Sequence, residues 1–484
     1  MRQIATIMLM LVLAWSAMGQ TNVRISGMVV GGAGKEIELY KYSDPLSHRE
    51  VLVSRDVIDE NQEFELTAYA NYPTLMFVQI ENYSQSFYVE AGRNYEVYIP
   101  RFDWNLDEKK NIFLSPEALP VEFMNVDERE INVQISEFDA LVDSFISANR
   151  YYFDLKFRPQ RKYYDSLVLL VEQRLPKGDE FVERYKRYKL AEIKLNMRLE
   201  SRRNLINTYI KDQPVLYWDE SYMSLFEALY GNSISKGSRY VSVEQFSYWI
   251  DYEMIDVMRD SLGVDPLLRN EQVRELAALI ALKEAYRNNR FYNPEQVKKM
   301  VRKMQNTTKF TQIASLAGSL LEGLNQMVKG AEVPEFELPN VDKDLVRLDS
   351  FAGKWVYLSF VRVGDPNSIG EIETLAHFKD SIYAHADNNV EFVTIVCDRE
   401  FQKMYHFLKN SRHNERYNWV WLHFNNNFKL LEKYQVVTYP TFLLINPEGK
   451  LQYNVTPAPA SGFLLSPPWQ EKKKEEATPF YIGN

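Results

Sequence analysis

A chain of 484 residues, 45% apolar and 25% charged, has the composition of a globular protein and the length of about three domains. Its formal charge of −9 disfavours nucleic acid, whose phosphates demand a basic stripe, and its single cysteine, Cys397, excludes an internal disulfide. Stability must come from hydrophobic cores, to which 31 tyrosines and 27 phenylalanines bring large side chains.

Residues 1–19 have the pattern of a signal peptide. Arg2 gives a thin positive start, Ile4 to Trp15 is almost wholly apolar, and Ala17 and Gly19 place small residues where a peptidase would cut. The apolar run falls short of the roughly 20 residues needed to span a bilayer. No cysteine follows it for lipid attachment, and no later segment is apolar enough to span a membrane. The expectation is a soluble, exported chain, periplasmic or secreted.

Residues 20–100 alternate apolar and polar positions in short runs: Val23–Gly27, Glu36–Tyr40, Phe64–Leu66, Leu75–Val78, Phe87–Val89 and Tyr95–Tyr98. With Gly, Asn and Asp between the runs, this predicts a small antiparallel β-sandwich, and Asp59-Glu60-Asn61-Gln62 fits a hairpin turn. Residues 101–125, with several prolines and little periodicity, read as a linker.

Residues 126–328 switch to helical spacing and predict an α-helical middle domain. Ile135, Phe138, Leu141, Val142 and Phe145 share one helix face, as do Leu167, Leu170, Val171 and Leu175. A basic series from Lys186 to Arg203 reads as a solvated face, and Ala277–Leu282 as a buried helix. Tyr151, Tyr152, Tyr163 and Tyr164 either pack between helices or line a sugar- or peptide-binding surface.

Residues 330–456 alternate strand and helix: Trp355–Val361, Ser368–Ala384, Val390–Cys397, Glu400–Ser411 and Thr441–Ile445. That is an α/β pattern of parallel strands joined by helical crossovers. Residues 457–484, with several prolines and the run Glu471–Glu476, read as an exposed tail.

Five blocks of this unit carry a family resemblance. They are Gly330–Pro339, Asp349–Val356, Glu391–Val396 with Asp398, Val437–Phe442 and Asn446–Lys450. In this order they resemble the TlpA-like thioredoxin-fold proteins of bacterial envelopes. The resemblance implies a multidomain protein with a C-terminal α/β thioredoxin-like domain. It also implies a reactive cysteine at the mouth of the first helix, a second three residues on, and a cis-proline segment lining a substrate groove. Here those two positions hold Asp365 and Ser368, with Asp-Pro-Asn-Ser in place of the cysteine pair. A carboxylate and a hydroxyl cannot cycle through a disulfide. Asp is a favoured helix cap and Pro366 a favoured first helical residue, so the plain reading of Asp365 is a cap. The sharper reading is a cation-binding or basic carboxylate, but no second acid or histidine stands near it in sequence.

Tyr439 and Pro440 mark the possible groove. If Pro440 is cis, an extended polypeptide could still pair there without redox chemistry. Cys397 ends an apolar strand and reads as a small buried hydrophobe. The six histidines show no metal spacing, and no phosphate loop or serine nucleophile elbow is present. No cofactor and no metal is expected. The favoured function is a non-catalytic polypeptide-binding or scaffold protein of the envelope, whose partner is an exported polypeptide, with thiol-disulfide exchange not expected. Two alternatives stand beside it: an enzyme with a non-redox site in the helical domain or at a domain junction, and a redox protein using Cys397 alone.

Overall fold

The computed structural model describes residues 22–104, 116–153, 160–288, 290–385, 389–409, 416–465 and 467–470. The expected signal peptide and the charged run at 471–476 lie outside them. The chain forms two compact units, one comprising residues 1–105 and 117–324, the other residues 106–116 and 325–484.

In the first unit, seven strands run to Ile99: β1 (Val23–Val29), β2 (Glu36–Tyr42), β3 (Glu50–Val57), β4 (Glu63–Ala68), β5 (Thr74–Ile80), β6 (Tyr83–Val89) and β7 (Asn94–Ile99). Two short ones follow, β8 (Glu117–Ala118) and β9 (Glu122–Phe123). They make two sheets, ordered β4-β1-β7-β9 and β3-β2-β5-β6-β8. Alternation built most of them, since Val23, Ile25 and Val29 are buried while Arg24 is exposed.

Four expectations change here. The sheets are mixed, because β1 runs parallel to β7 and β6 parallel to β8. The close β1–β7 approach requires Gly27, where an added Cβ would lie 1.8 Å from the Val97 carbonyl oxygen. Strands β8 and β9 fall within the stretch expected as a linker and join one sheet each. The Asp59–Gln62 turn closes no hairpin, since β3 pairs with β2 and β4 with β1. Strand β3 was not foreseen, and its residues are half-buried or exposed, so its periodicity is faint.

The helical part of the unit includes α1 (Ile131–Ala148), α2 (Arg161–Arg174), α3 (Glu180–Asn196), α4 (Glu220–Tyr230) and α5 (Glu271–Arg287). Carboxylates begin three of them. Glu130, Asp179 and Asp219 accept from the backbone N–H of Val133, Val182 and Tyr222, the orphan donors of a first turn. Helix α1 buries Ile131, Ile135, Phe138 and Val142 on the anticipated face. Helix α5 is buried from Leu276 to Leu282 on every side, as a central helix must be. Of the four tyrosines, Tyr164 is buried with its hydroxyl donating to the Leu190 carbonyl, Tyr152 and Tyr163 stack on each other at 3.7 Å, and Tyr151 is 54% exposed. Lys186 departs from the solvated-face reading. It is buried and donates to the Pro176 carbonyl and to Glu183.

The strands and helices, expected as separate domains, share this unit because the β2–β3 loop is anchored in the helical core. Asp44 fixes the loop by accepting from the N–H groups of Leu46 and Ser47 and from the Ser43 and Ser47 hydroxyls. Leu46 is thereby held fully buried in the same cluster as Phe226 and Leu279. Lys283, buried on α5, donates to the Leu46 carbonyl at 2.7 Å and to Glu227 at 2.6 Å. A second joint lies at β6, where Asn132 of α1 pairs with both the N–H and the carbonyl of Tyr88.

In the second unit, β10 (Glu337–Pro339) and β11 (Leu345–Arg347) form an antiparallel pair ahead of the main sheet. The sheet, ordered β14-β13-β12-β15, comprises β12 (Trp355–Val361), β13 (Val390–Val396), β14 (Val420–His423) and β15 (Thr441–Ile445). Helix α6 (Pro366–His385) connects β12 to β13, and α7 (Phe401–Lys409) follows β13. Strands β12 and β13 are parallel as expected, β14 joins β13 in parallel although it was not foreseen, and β15, expected to be parallel, is antiparallel to β12. The start of the expected tail is also packed. Leu464 is buried, Phe463 stacks on Tyr357, Trp469 meets Phe392 edge-on, and the Tyr357 hydroxyl donates to the Pro457 carbonyl. The apolar area of these side chains outweighs the prolines that suggested an extended tail.

Leu46→Ala removes a fully buried side chain and is expected to cost about 2–5 kcal/mol. Urea unfolding followed by circular dichroism and by tyrosine fluorescence should show one transition of the first unit shifted to lower denaturant. A shift confined to the strand signal, with the helices unaffected, would contradict the shared core.

Candidate functional site

The C-terminal ends of the three parallel strands lie level. Val361 pairs with Val396, and Val396 with His423. The antiparallel neighbour β15 begins at this same edge, because Thr441 pairs with Phe360. Arg362, Cys397 and Pro440 are therefore each one residue beyond a strand, on one rim of the sheet. Helix α6 starts on this rim as well, which is where open α/β sheets gather their functional groups.

Helix α6 opens as its sequence suggests. Asp365 stands just before Pro366, and its Oδ2 accepts from the Ser368 N–H and from the Ser368 hydroxyl, both at 2.8 Å. The Ser368 side chain is wholly buried, and its Oγ accepts from the Arg362 N–H at 3.3 Å. Asp365, half-buried, thus puts a carboxylate on the positive end of the helix and satisfies one first-turn donor, the Ser368 N–H, directly. The two residues singled out from the sequence are in direct contact. Sulfur is absent from both, so this helix mouth offers no thiolate.

The Tyr439–Pro440 peptide bond is cis. Tyr439 reaches inward, with the Arg362 guanidinium over its ring at 5.9 Å. Its hydroxyl is next to the Cys397 thiol, and burial and this thiol together hold the phenol far above its usual range. Burial likewise pushes the Cys397 thiol well above the ordinary thiol range, with the Tyr439 contact only partly offsetting it. Cys397, remote from Tyr439 in sequence, is its neighbour in space, and it is buried. The residues before Tyr439 are exposed, Val437 at 60% and Thr438 beside it, and the Thr438 carbonyl accepts from the Thr441 hydroxyl at 2.6 Å.

Sequence reasoning did not assign roles to Asp398 or His423. Asp398, buried, accepts from the Val363 N–H at 2.7 Å and so ties the end of β13 to the turn leading into α6. His423 accepts from the Asn425 N–H through Nδ1 at 3.0 Å, which leaves Nε2–H to donate to the Asp398 carbonyl at 2.7 Å. Burial lowers its pKa and keeps it neutral. Its role is to hold the rim, and a strand-end position was the only signal in the sequence. Among the described residues no cluster of His, Cys, Asp or Glu is arranged to hold a metal ion, and no helix is long and apolar enough to cross a membrane.

Comparison with known proteins finds similarity over one part of the chain. No curated protein matches it. Among solved structures, the thioredoxin domain of a thiol-disulfide oxidoreductase from Bacteroides vulgatus is 22% identical, with 26% of this chain and 86% of that chain covered and a TM-score of 0.23. A thiol-disulfide oxidoreductase from Bacteroides fragilis is 20% identical, covering 28% and 98%, with a TM-score of 0.23. A thiol:disulfide interchange protein from a Bacteroides species is 21% identical, covering 26% and 82%, again with a TM-score of 0.23. The AhpC/TSA family profile matches residues 329–454, the stretch that builds the four-stranded sheet and its rim. The C-terminal unit of this chain therefore carries a thioredoxin-fold domain of the AhpC/TSA family.

Proposed function

We propose that this protein is exported and uses a TlpA-like thioredoxin domain to hold a polypeptide without exchanging disulfides, as a non-catalytic binding or scaffold protein of the bacterial envelope. The observation that carries this reading is the Asp365–Ser368 contact. The family's cysteine pair is replaced by a cap and its hydroxyl partner, which start the helix well and have no electrons to pass. The exposed residues Val437 and Thr438, ahead of the cis proline, support a docking edge for an extended chain. The apolar run from Ile4 to Trp15, with small residues after it, supports export.

The test is to restore the sulfur. Wild-type protein should leave the rate of insulin reduction by dithiothreitol at background. Asp365→Cys with Ser368→Cys should raise it at least about tenfold, since the helix mouth lowers the pKa of a thiol placed there. Acceleration by the wild type would remove the redox-inactive reading. A double variant with two titratable thiols and background activity would show that no polypeptide reaches this rim.

A one-cysteine redox role for Cys397 has its own measurement. Its buried, neutral thiol should react with iodoacetamide more than about tenfold slower in the folded chain than in urea. Equal rates in the two states would bring that role back.

A further inference from the structure

The first unit contains a cleft of about 1010 Å³, walled by strand β6, by helices α1, α3 and α4 and by His48 of the β2–β3 loop. That volume is at the upper end of the range of small-molecule sites, roughly 300–1,000 Å³. One buried hydroxyl, and the charges around it, limit what the cleft can take.

The hydroxyl is that of Tyr88. The Asn132 amide holds both backbone groups of this residue, and its ring packs edge-on against Phe181 at 4.9 Å and Tyr185 at 6.5 Å, so its direction is fixed. Tyr88 is only 7% exposed, and it lines the cleft. Its hydroxyl forms no hydrogen bond among the described residues, whereas the hydroxyl of the neighbouring Tyr185 donates to Asp139 at 2.8 Å. The Tyr88 phenol is held far above its usual range, by burial first and then by Glu220, Asp219 and Asp139. The hydroxyl therefore stands among carboxylates from α1 and from the start of α4. A buried donor left unmatched is costly, and native proteins match such groups to protein, water or ligand.

Those carboxylates have basic partners of their own. Lys189 acts on Asp139, Arg184 pairs with Asp219 at 3.2 Å, and His48 is 3.8 Å from Glu220. A cationic ligand would compete with these partners, and an ammonium has no lone pair to accept from Tyr88. An anion would be repelled by the acids. An apolar ligand would leave the Tyr88 donor unmatched. A neutral alcohol group accepts from Tyr88 and donates to a carboxylate at the same time. Phe123, half-buried and also lining the cleft, offers an aromatic ring to the C–H groups that such a polyol carries.

We propose that this cleft binds a neutral saccharide, whose hydroxyls accept from Tyr88 and donate to Asp139 and Glu220. This site is separate from the rim at Tyr439 and does not depend on it.

The probes are cellotriose, maltotriose and mannotriose, titrated into the full chain by calorimetry. Saturable binding of at least one is expected. Tyr88→Phe removes the hydroxyl and keeps the ring. It should weaken that sugar at least about tenfold, and it should leave the urea midpoint of the first unit unchanged or higher, because no bond within the protein is lost. Asp139→Asn keeps an acceptor for Tyr185 and should weaken the sugar as well. Val437→Asp, on the thioredoxin domain, should leave binding unchanged; a loss there would place the sugar on the rim instead. The proposal falls if none of the sugars binds, which would mean a cleft filled by water alone, or if Tyr88→Phe binds as wild type. It falls too if Tyr88→Phe lowers the urea midpoint, since the hydroxyl would then have a partner inside the protein. Binding of spermidine or citrate that requires the Tyr88 hydroxyl would also overturn it, by making the ligand an ion.

Discussion

The rim of the C-terminal unit turns on the hydrogen bonds that one carboxylate accepts. Asp365 takes the N–H and the hydroxyl of Ser368 at the start of α6, and Ser368 in turn accepts from Arg362. A thioredoxin helix mouth is built to stabilise negative charge, and a thiolate exploits that field because it is also a nucleophile. A carboxylate exploits the same field only to cap. The helix start is stabilised by that cap. The surrounding rim keeps its architecture: the cis Tyr439–Pro440 bond, the Asp398 carboxylate under the turn and the neutral His423 behind it.

Cys397 shows how burial decides the fate of a thiol. It is at the rim and touches Tyr439, yet desolvation drives both groups toward their neutral forms. The thiol raises the Tyr439 phenol further, while the Tyr439 contact offsets only part of the burial of Cys397. Such a pair fills space and fixes the Tyr439 ring beneath Arg362. A redox centre needs the opposite environment, electropositive and partly exposed.

The amino-terminal unit rests on a different constraint, the anchoring of a strand loop in a helical core. Asp44 organises the loop, Leu46 fills a hole among the helices, and Lys283 ties down the carbonyl that enters with it. Burying an unpaired carbonyl would cost on the order of 1–3 kcal/mol, so the lysine is what makes the insertion tolerable. With the loop anchored and Asn132 gripping β6, the strands and helices form a single unit.

The sequence alone determined the features that depend on local periodicity and local chemistry. Alternation gave most of the strands, helical spacing gave the buried face of α1, and the Asp365-Pro366 pair gave the start of α6, because each is set by neighbours a few residues away. The thioredoxin fold was also legible, carried by five short blocks in order. Only the tertiary structure decided the rest: the parallel β1–β7 pairing, β8 and β9 joining the sheets, the packing of Phe463 and Trp469 on the C-terminal domain, and the meeting of Cys397 with Tyr439. Asn132 and Tyr88, whose hydrogen bonds join α1 to β6, come from segments more than 40 residues apart, which no local pattern connects. Their contact is fixed by which surfaces bury apolar area together, a property of the folded chain as a whole.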